Sequence, residues 1–263
     1  MTEHTATPDR TVGVDLATAA ARTATAVVRW EEDRAVAEVP RVGCEDEELL
    51  ALLSGLGPHD RAGIDVPFGW PVAFVEAVGA HARGERWPGR GGRDEHYRAM
   101  RARACDRHAA EALKAHHGRG PLCVSFDRLG AVAARWAFLS DQLASRGQAV
   151  ARDGSGAVVE VYPAGARAVW KIGGERSVRG LTGAAAPWLV FAPGAEERYA
   201  ASEHAFDALI AALVARSAAL GRTLPPRTEE QLRLAPVEGW LHLPGPLDDL
   251  APPARPGLSG SLA

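Results

Sequence analysis

Cysteine is scarce in this sequence. Cys44, Cys105 and Cys123 are the three in 263 residues, an odd number with no Cys-x-x-Cys spacing. That pattern argues against a disulfide framework and a cysteine-built structural zinc site, and reduced, mostly buried thiols are expected. Lysine is scarcer still, with Lys114 and Lys171 set against 28 arginines. Together with abundant alanine, this bias points to a GC-rich bacterial genome and says little about function. Long hydrophobic runs are missing, since none approaches the ~20 residues needed to span a bilayer. Met1 to Arg10 has no apolar h-region, so no signal peptide is expected. A soluble, cytoplasmic protein with no membrane partner is the resulting expectation. Excess positive charge is also missing. A formal net charge of −3 argues against a surface built as a whole to attract nucleic acid, although a local basic patch remains compatible with it. No P-loop, dinucleotide fingerprint or nucleophile elbow occurs.

What is present is an ordinary globular composition, 46% apolar and 24% charged, in a chain long enough for one large domain or two small ones. Two stretches stand out: Val12-Gly13-Val14-Asp15-Leu16-Ala17 and Ala62-Gly63-Ile64-Asp65-Val66-Pro67. Each reads glycine, β-branched residue, aspartate, aliphatic residue, and each looks like a strand that delivers one carboxylate at its end. Two such strands suggest a shared acidic site. The plainer alternative is that each aspartate hydrogen-bonds the turn after its own strand.

Taken in order, residues 1–10 read as a frayed tail. Thr11 to Ala17, Thr23 to Trp30 and Arg34 to Val42 read as three strands of an antiparallel meander. Asp46 to Leu56 changes to a helical period, with acids in its first turn and Gly55 and Gly57-Pro58 at its end. Ala62 to Pro67 follows as a fourth strand, and a helical crossover makes it parallel to the first. Residues 71–156 read as a helical insertion: a short helix over Val72 to Ala80, a loop Trp87 to Arg93, a charged helix Asp94 to His116, and an apolar helix Leu129 to Arg146. Between Gly79 and Pro121 stand ten Lys/Arg, among them Arg90, Arg93, Arg98, Arg103 and Arg107, against five Asp/Glu, with five of the nine histidines. That segment is either a solvated helical face or a cationic cap over an anionic substrate. Its histidines are more often surface residues than catalysts, and none is singled out. Ala157 to Tyr162 is a fifth strand, carrying Glu160. Glu203 to Leu220 is a helix with Ser202 as N-cap and the stripe Phe206, Leu209, Ile210, Leu213, Val214. Glu238 to Pro244 is a short extended segment, and 246–263 reads as a disordered tail.

Placing the first strand centrally brings Asp15, Asp65 and Glu160 to neighbouring strand ends, and Asp207, on the shoulder of the last helix's stripe, adds a fourth carboxylate. Acids so close repel unless they share protons or bind cations. An all-oxygen donor set suits Mg²⁺ or Mn²⁺, and two such ions about 4 Å apart can drive phosphodiester cleavage.

Gly-Val-Asp-Leu-Ala at 13–17, Ile-Asp-Val-Pro-Phe-Gly at 64–69, Arg-Ala-Cys-Asp at 103–106, Glu-Val-Tyr-Pro-Ala at 160–164, Asp-Ala-Leu-Ile-Ala-Ala at 207–212 and Glu-Gly-Trp at 238–240 occur in this order, and the sequence thereby resembles the DUF429 family over about residues 11–244. That family is described as predicted nucleases with a ribonuclease H-like fold. The resemblance implies one α/β domain, a mixed five-stranded βββαβαβα sheet with the helical insertion between the fourth and fifth strands. It also implies Asp15, Asp65, Glu160 and Asp207 as candidate catalytic metal ligands, with Arg103 and Asp106 matching the motif in the insertion. The resulting expectation is a metal-dependent nuclease or phosphoryl hydrolase acting on nucleic acid or a nucleotide, with Arg93, Arg98, Arg103 and Arg107 gripping phosphate. Two other readings stay open. An actin-like ATP-dependent phosphotransferase also begins with a Gly-x-Asp strand, but the turn Ala17 to Ala21 lacks glycine. A non-catalytic binding module on the same fold is the third. The sequence carries no signal of oligomeric state.

Overall fold

The first glycine–aspartate strand lies at the centre of the sheet. In the computed structural model, which describes residues 7–89, 91–172, 178–182 and 185–253, β1 (Arg10–Asp15) is followed by β2 (Ala24–Trp30), β3 (Ala35–Ala37) and β4 (Arg41–Val42). The expected third strand is thus two short ones, interrupted at Glu38 to Pro40, where proline can donate no ladder hydrogen bond. Both pieces pair antiparallel with β2. Helix α1 (Asp46–Ser54) then crosses to β5 (Arg61–Asp65), which lies parallel to β1 with Asp15 opposite Asp65.

The insertion contains α2 (Val72–Ala82), α3 (Arg93–Arg101), α4 (Ala104–Lys114) and α5 (Leu129–Ser145). The single charged helix expected over 94–116 is two helices. Ala102 and Arg103 are extended, because the Arg103 side chain leaves the surface for a buried partner described below. β6 (Val158–Val161) pairs parallel with β5. After it come α6 (Pro163–Val169), α7 (Val178–Thr182), β7 (Leu189–Phe191), α8 (Ala195–Ala201), α9 (Glu203–Ala219), α10 (Glu229–Glu238) and β8 (Leu241–His242). The sheet is mixed and has eight strands rather than five, in the order β7-β3-β2-β1-β5-β6-β8, with β4 also on β2. The three extra strands have two or three residues each, too few to carry a period-2 pattern. The C-terminal stretch departs from its expectation as well: Leu247–Leu250 forms a 3-10 turn whose Leu247 and Leu250 are buried. Arg90 and the ends of both expected tails, 1–6 and 254–263, lie outside the described residues.

Strand alternation sends alternate side chains to opposite faces. Val12, Val14, Ala62 and Ile64 face a core with Leu49, Leu50 and Leu53 of α1 and Trp136, Leu139 and Leu143 of α5. The other face, which carries Gly13, Gly63 and both aspartates, receives α9. Thirteen of the seventeen α9 residues are buried, because the helix is covered by the sheet on one side and by α6, α8 and the Leu247–Leu250 turn on the others. Its approach is close enough to need glycine. A Cβ on Gly13 would stand 1.8 Å from the Ala208 carbonyl oxygen, and one on Gly63 2.4 Å from that of Ala211.

Gly13→Ala therefore cannot be relieved by a side-chain rotation. It is expected to cost at least the roughly 1–3 kcal/mol typical of overpacking, read as a lowered urea midpoint, while Gly91→Ala, with nothing within 4 Å, stays close to wild type. Equal midpoints would contradict the close approach.

Candidate active site

The packing of α9 sets the site. Ala208 and Ala211 lie over the two glycines, so the first turns of the helix reach the carboxyl ends of β1 and β5. There Asp207 and His204 join Asp15 and Asp65. His204 Nδ1 lies 2.6 Å from Asp15 Oδ2, and Arg167, one turn into α6, reaches Asp207 Oδ1 at 3.2 Å. The Asp65 carboxylate forms no hydrogen bond among the described residues. Burial first, then the charges of Asp15, Asp207 and Glu160, push its pKa well above the usual aspartate value, against the opposing pull of Arg167. Among the described residues, Arg167 and His204 stand beside these three carboxylates.

Glu160 lies on the other face of the sheet. It stands opposite Ile64, not Asp65, in the β5–β6 register, and the pleat turns its side chain away from Asp65. It is 1% exposed. Its Oε2 accepts from the Phe68 N–H at 2.8 Å and from Arg103 Nη1 at 2.8 Å, and its Oε1 accepts from Arg103 Nη2 at 2.6 Å. Arg103 continues to Asp106, with Nε–Oδ2 at 3.0 Å and Nη2–Oδ1 at 2.7 Å, and to the Glu238 carbonyl at 3.2 Å. All five guanidinium donors are thereby used inside the protein. Arg103, expected to grip phosphate, has no donor left for it. Burial lifts the Glu160 pKa while Arg103 draws it down.

The neighbouring motif residues serve the same knot. Asp106 caps α4 by accepting from the Arg103 N–H at 3.0 Å. The Glu238 carboxylate, at the end of α10, accepts from Val72 N and Ala104 N, both at 2.8 Å. These are the first residues of α2 and α4, and one carboxylate thus neutralises two helix N-termini. Gly239 has φ +95°, and a Cβ there would meet Glu160 Oε2 at 2.9 Å, which makes glycine the fitting residue. Trp240 is buried and donates its Nε1–H to the Leu224 carbonyl at 3.0 Å. α10 was not expected from the sequence. Its capping box, Thr228 with Gln231, is a helix-start signal, while Pro236 inside the segment is a signal against a helix.

A cavity of about 380 Å³ opens beside the carboxylates, with Asp15, Asp65, Arg103 and Glu160 at its polar end and Pro67, Leu122, Leu129 and Val132 among its apolar walls. Of the other expected phosphate-binding arginines, Arg93 lines a separate aromatic cleft. Arg98 and Arg107 line a third one, where Arg107 pairs with Glu230 at 3.0 Å. The structure therefore brings Asp15, Asp65 and Asp207 together, sets Glu160 behind them, and places none of these three arginines in the carboxylate cavity. His204, Arg167 and Glu238 are the residues sequence reasoning missed. A metal-like spacing also occurs in the knot, since ligand atoms of Cys105, Asp106 and Glu160 all lie within 4.8 Å of one another and could hold an ion. Arg103 already supplies positive charge there.

A mixed α/β sheet gathering acids at the carboxyl ends of adjacent parallel strands is the usual place for a ligand site in open α/β folds. The family model described as "Protein of unknown function (DUF429)" matches residues 13–231, and the chain belongs to that family. No curated protein and no solved structure matches it. No helix among the described residues is long and apolar enough to cross a membrane.

Two outcomes test the contrast between knot and triad. Arg103→Ala strands two buried carboxylates and is expected to cost about 3–5 kcal/mol, whereas Arg107→Ala loses a half-exposed pair worth at most about 1 kcal/mol. Urea midpoints compare the two. Asp65 has a folded-state pKa above its unfolded value, so the folded state holds the extra proton and stability falls as pH rises above about 4. Asp65→Asn is expected to raise the metal-free melting midpoint at pH 7 and flatten that fall. A lower midpoint at pH 7 would show that the Asp65 charge is already balanced.

Proposed function

We propose that Asp15, Asp65 and Asp207 bind Mg²⁺ or Mn²⁺ and that the protein is a metal-dependent phosphoryl hydrolase of nuclease type. The reading treats residues 11–244 as a ribonuclease H-like domain with 71–156 inserted. It rests on one observation above the others: the Asp65 carboxylate lies beside two further aspartates and, among the described residues, has no hydrogen-bond donor. Such a set is stabilised by a hard cation more than by any group the described chain offers it. The resemblance to predicted nucleases supports the choice of phosphoryl chemistry.

Each side chain then has a task. Asp15 and Asp207 are oriented by His204 and Arg167, which hold the carboxylates from behind as outer partners of a metal site do. The Asp65 carboxylate, which accepts no hydrogen bond among the described residues, would face the ion. Glu160 is a positioning residue: it fixes the Phe68 N–H and hence the loop that follows Asp65. The apolar walls at Leu122, Leu129 and Val132 lower the local dielectric and strengthen charge interactions at the acids. The bound ion would activate water and stabilise the charge on the phosphoryl oxygens. The Cys105, Asp106 and Glu160 cluster is the weaker metal candidate, because a cation there must compete with the fully bonded Arg103 guanidinium.

Cleavage of a panel of single- and double-stranded DNA and RNA with Mn²⁺ tests this. Asp15→Asn and Asp65→Asn are expected to lose at least about a hundredfold in rate, the scale of removing one preorganised electrostatic contact. Mn²⁺ should raise the melting midpoint of the wild type and leave that of Asp65→Asn unchanged. Wild-type cleavage in folded Asp65→Asn would sink the proposal.

A further inference from the structure

The helical insertion exposes aromatic rings that the core does not use. Trp87, Tyr97 and Phe126 are 44%, 48% and 47% exposed, and with Phe74 and the buried Met100 they line a cleft of about 560 Å³ between α2 and α3. Tyr97 and Phe126 stack with their planes 13° apart and centroids at 5.5 Å, and Phe74 meets Phe126 edge-on. The stack leaves Tyr97 and Phe126 each about half exposed. Clustered exposed aromatics of this kind mark an interaction site.

The charged side chain that lines the cleft, among the described residues, is an arginine. Arg93 lines the cleft itself, and exposed Arg86 precedes Trp87 in the chain. Neither forms an ion pair among the described residues, in contrast to Arg83, which is held by Glu85 at 2.7 Å. Of the acids on α3, Glu95 lines the opposite cleft beside Glu76. The acid next to Phe126, Asp127, is engaged by the Cys123 N–H at 2.8 Å. One loop contributes to both this cleft and the carboxylate cavity. The loop before α5 gives Leu122 to that cavity and Phe126 to the cleft, and four residues of chain span at most about 14 Å.

We propose that this cleft stacks the unpaired bases of single-stranded nucleic acid and presents the strand to the carboxylate cavity. The proposal rests on the phosphoryl-hydrolase reading for the second half of that statement, and on the cleft alone for the first. Aromatic platforms beside guanidinium groups bind single strands because every base has a stacking face and every nucleotide a phosphate. A duplex keeps its bases stacked on each other and cannot use the rings.

The test is fluorescence anisotropy of labelled oligo(dT), oligo(rU) and a DNA duplex of equal length, with the full chain in EDTA. At least one single strand is expected to bind more tightly than the duplex, and the two arms identify which sugar is preferred. Trp87→Ala and Tyr97→Ala are each expected to weaken that binding about five- to 150-fold, the loss of one base stack. Arg93→Ala is expected to reduce the salt slope by about 0.7, one phosphate contact on a single strand. Leu232→Ala, exposed on α10, should change nothing. The variants sit at exposed positions, and unchanged melting midpoints verify their folding. Duplex binding as tight as single-strand binding, or wild-type affinity in both aromatic variants, overturns the proposal. Binding in EDTA requires no metal. Strand binding without Mn²⁺-dependent cleavage would remove the enzymatic reading and keep this site, whereas cleavage with an unaltered KM in Tyr97→Ala would do the reverse.

Discussion

The contact on which the rest of the structure depends is backbone against backbone. α9 lies so close to β1 and β5 that its carbonyls at Ala208 and Ala211 occupy the space where side chains of Gly13 and Gly63 would stand. One consequence is energetic, since a helix seated that deeply buries nearly its whole circumference and forms the largest core of the protein. The other is positional. With the helix locked against those glycines, its residues one turn earlier have only one place to go. His204 meets Asp15 and Asp207 joins the acidic face. The glycine two residues before each strand-end aspartate is therefore part of the same device as the aspartate.

The pleat decides which acid does what. Asp15 and Asp65 are register partners and share a face. Glu160 is one position out of that pairing and faces the other way. On its own side it meets Arg103, and the resulting knot is completely hydrogen-bonded. It joins the sheet (Glu160), the insertion (Arg103, Asp106) and the end of α10 (Glu238). A buried ion pair of this kind adds little net stability over a well-packed apolar equivalent, but removing one member leaves an uncompensated charge. What it does here is fix the insertion to the sheet at a defined place, so that the wall of the carboxylate cavity is set by rigid elements.

Much of this was legible and the remainder was not, for identifiable reasons. The meander, the crossover, the parallel pairing of β1 with β5 and the long last helix follow from hydrophobic periodicity and turn residues. The shared site of Asp15 and Asp65 follows from two matching strand ends. Glu160 was grouped with them because sequence gives the strand but not its register, and one residue of register reverses every side chain. Arg103 was taken as a phosphate ligand because a surface helix and a buried guanidinium carry the same local pattern. Only the break at Ala102 separates them, and the acceptors that demand it, the Glu160 carboxylate and the Glu238 backbone carbonyl, lie 57 and 135 residues further on. β7 and β8 are too short to carry a period.

The two acidic sites solve the same electrostatic problem in opposite ways, and the contrast argues for their roles. On the far face every carboxylate oxygen of Glu160 and Asp106 is met by a guanidinium or a backbone N–H, so the charge there is balanced within the protein. On the near face Asp15 meets His204 and Asp207 meets Arg167, whereas Asp65 forms no hydrogen bond among the described residues, and burial with the neighbouring carboxylates holds its proton more tightly. A protein with arginine to spare could have quieted Asp65 as it quieted Glu160. Retaining an under-neutralised carboxylate at the mouth of a cavity costs stability at neutral pH, a cost that proteins tolerate mainly where the charge meets a ligand. The neighbouring knot makes that cost bearable, because the strand ends and loop around Asp65 are held in place without help from Asp65 itself.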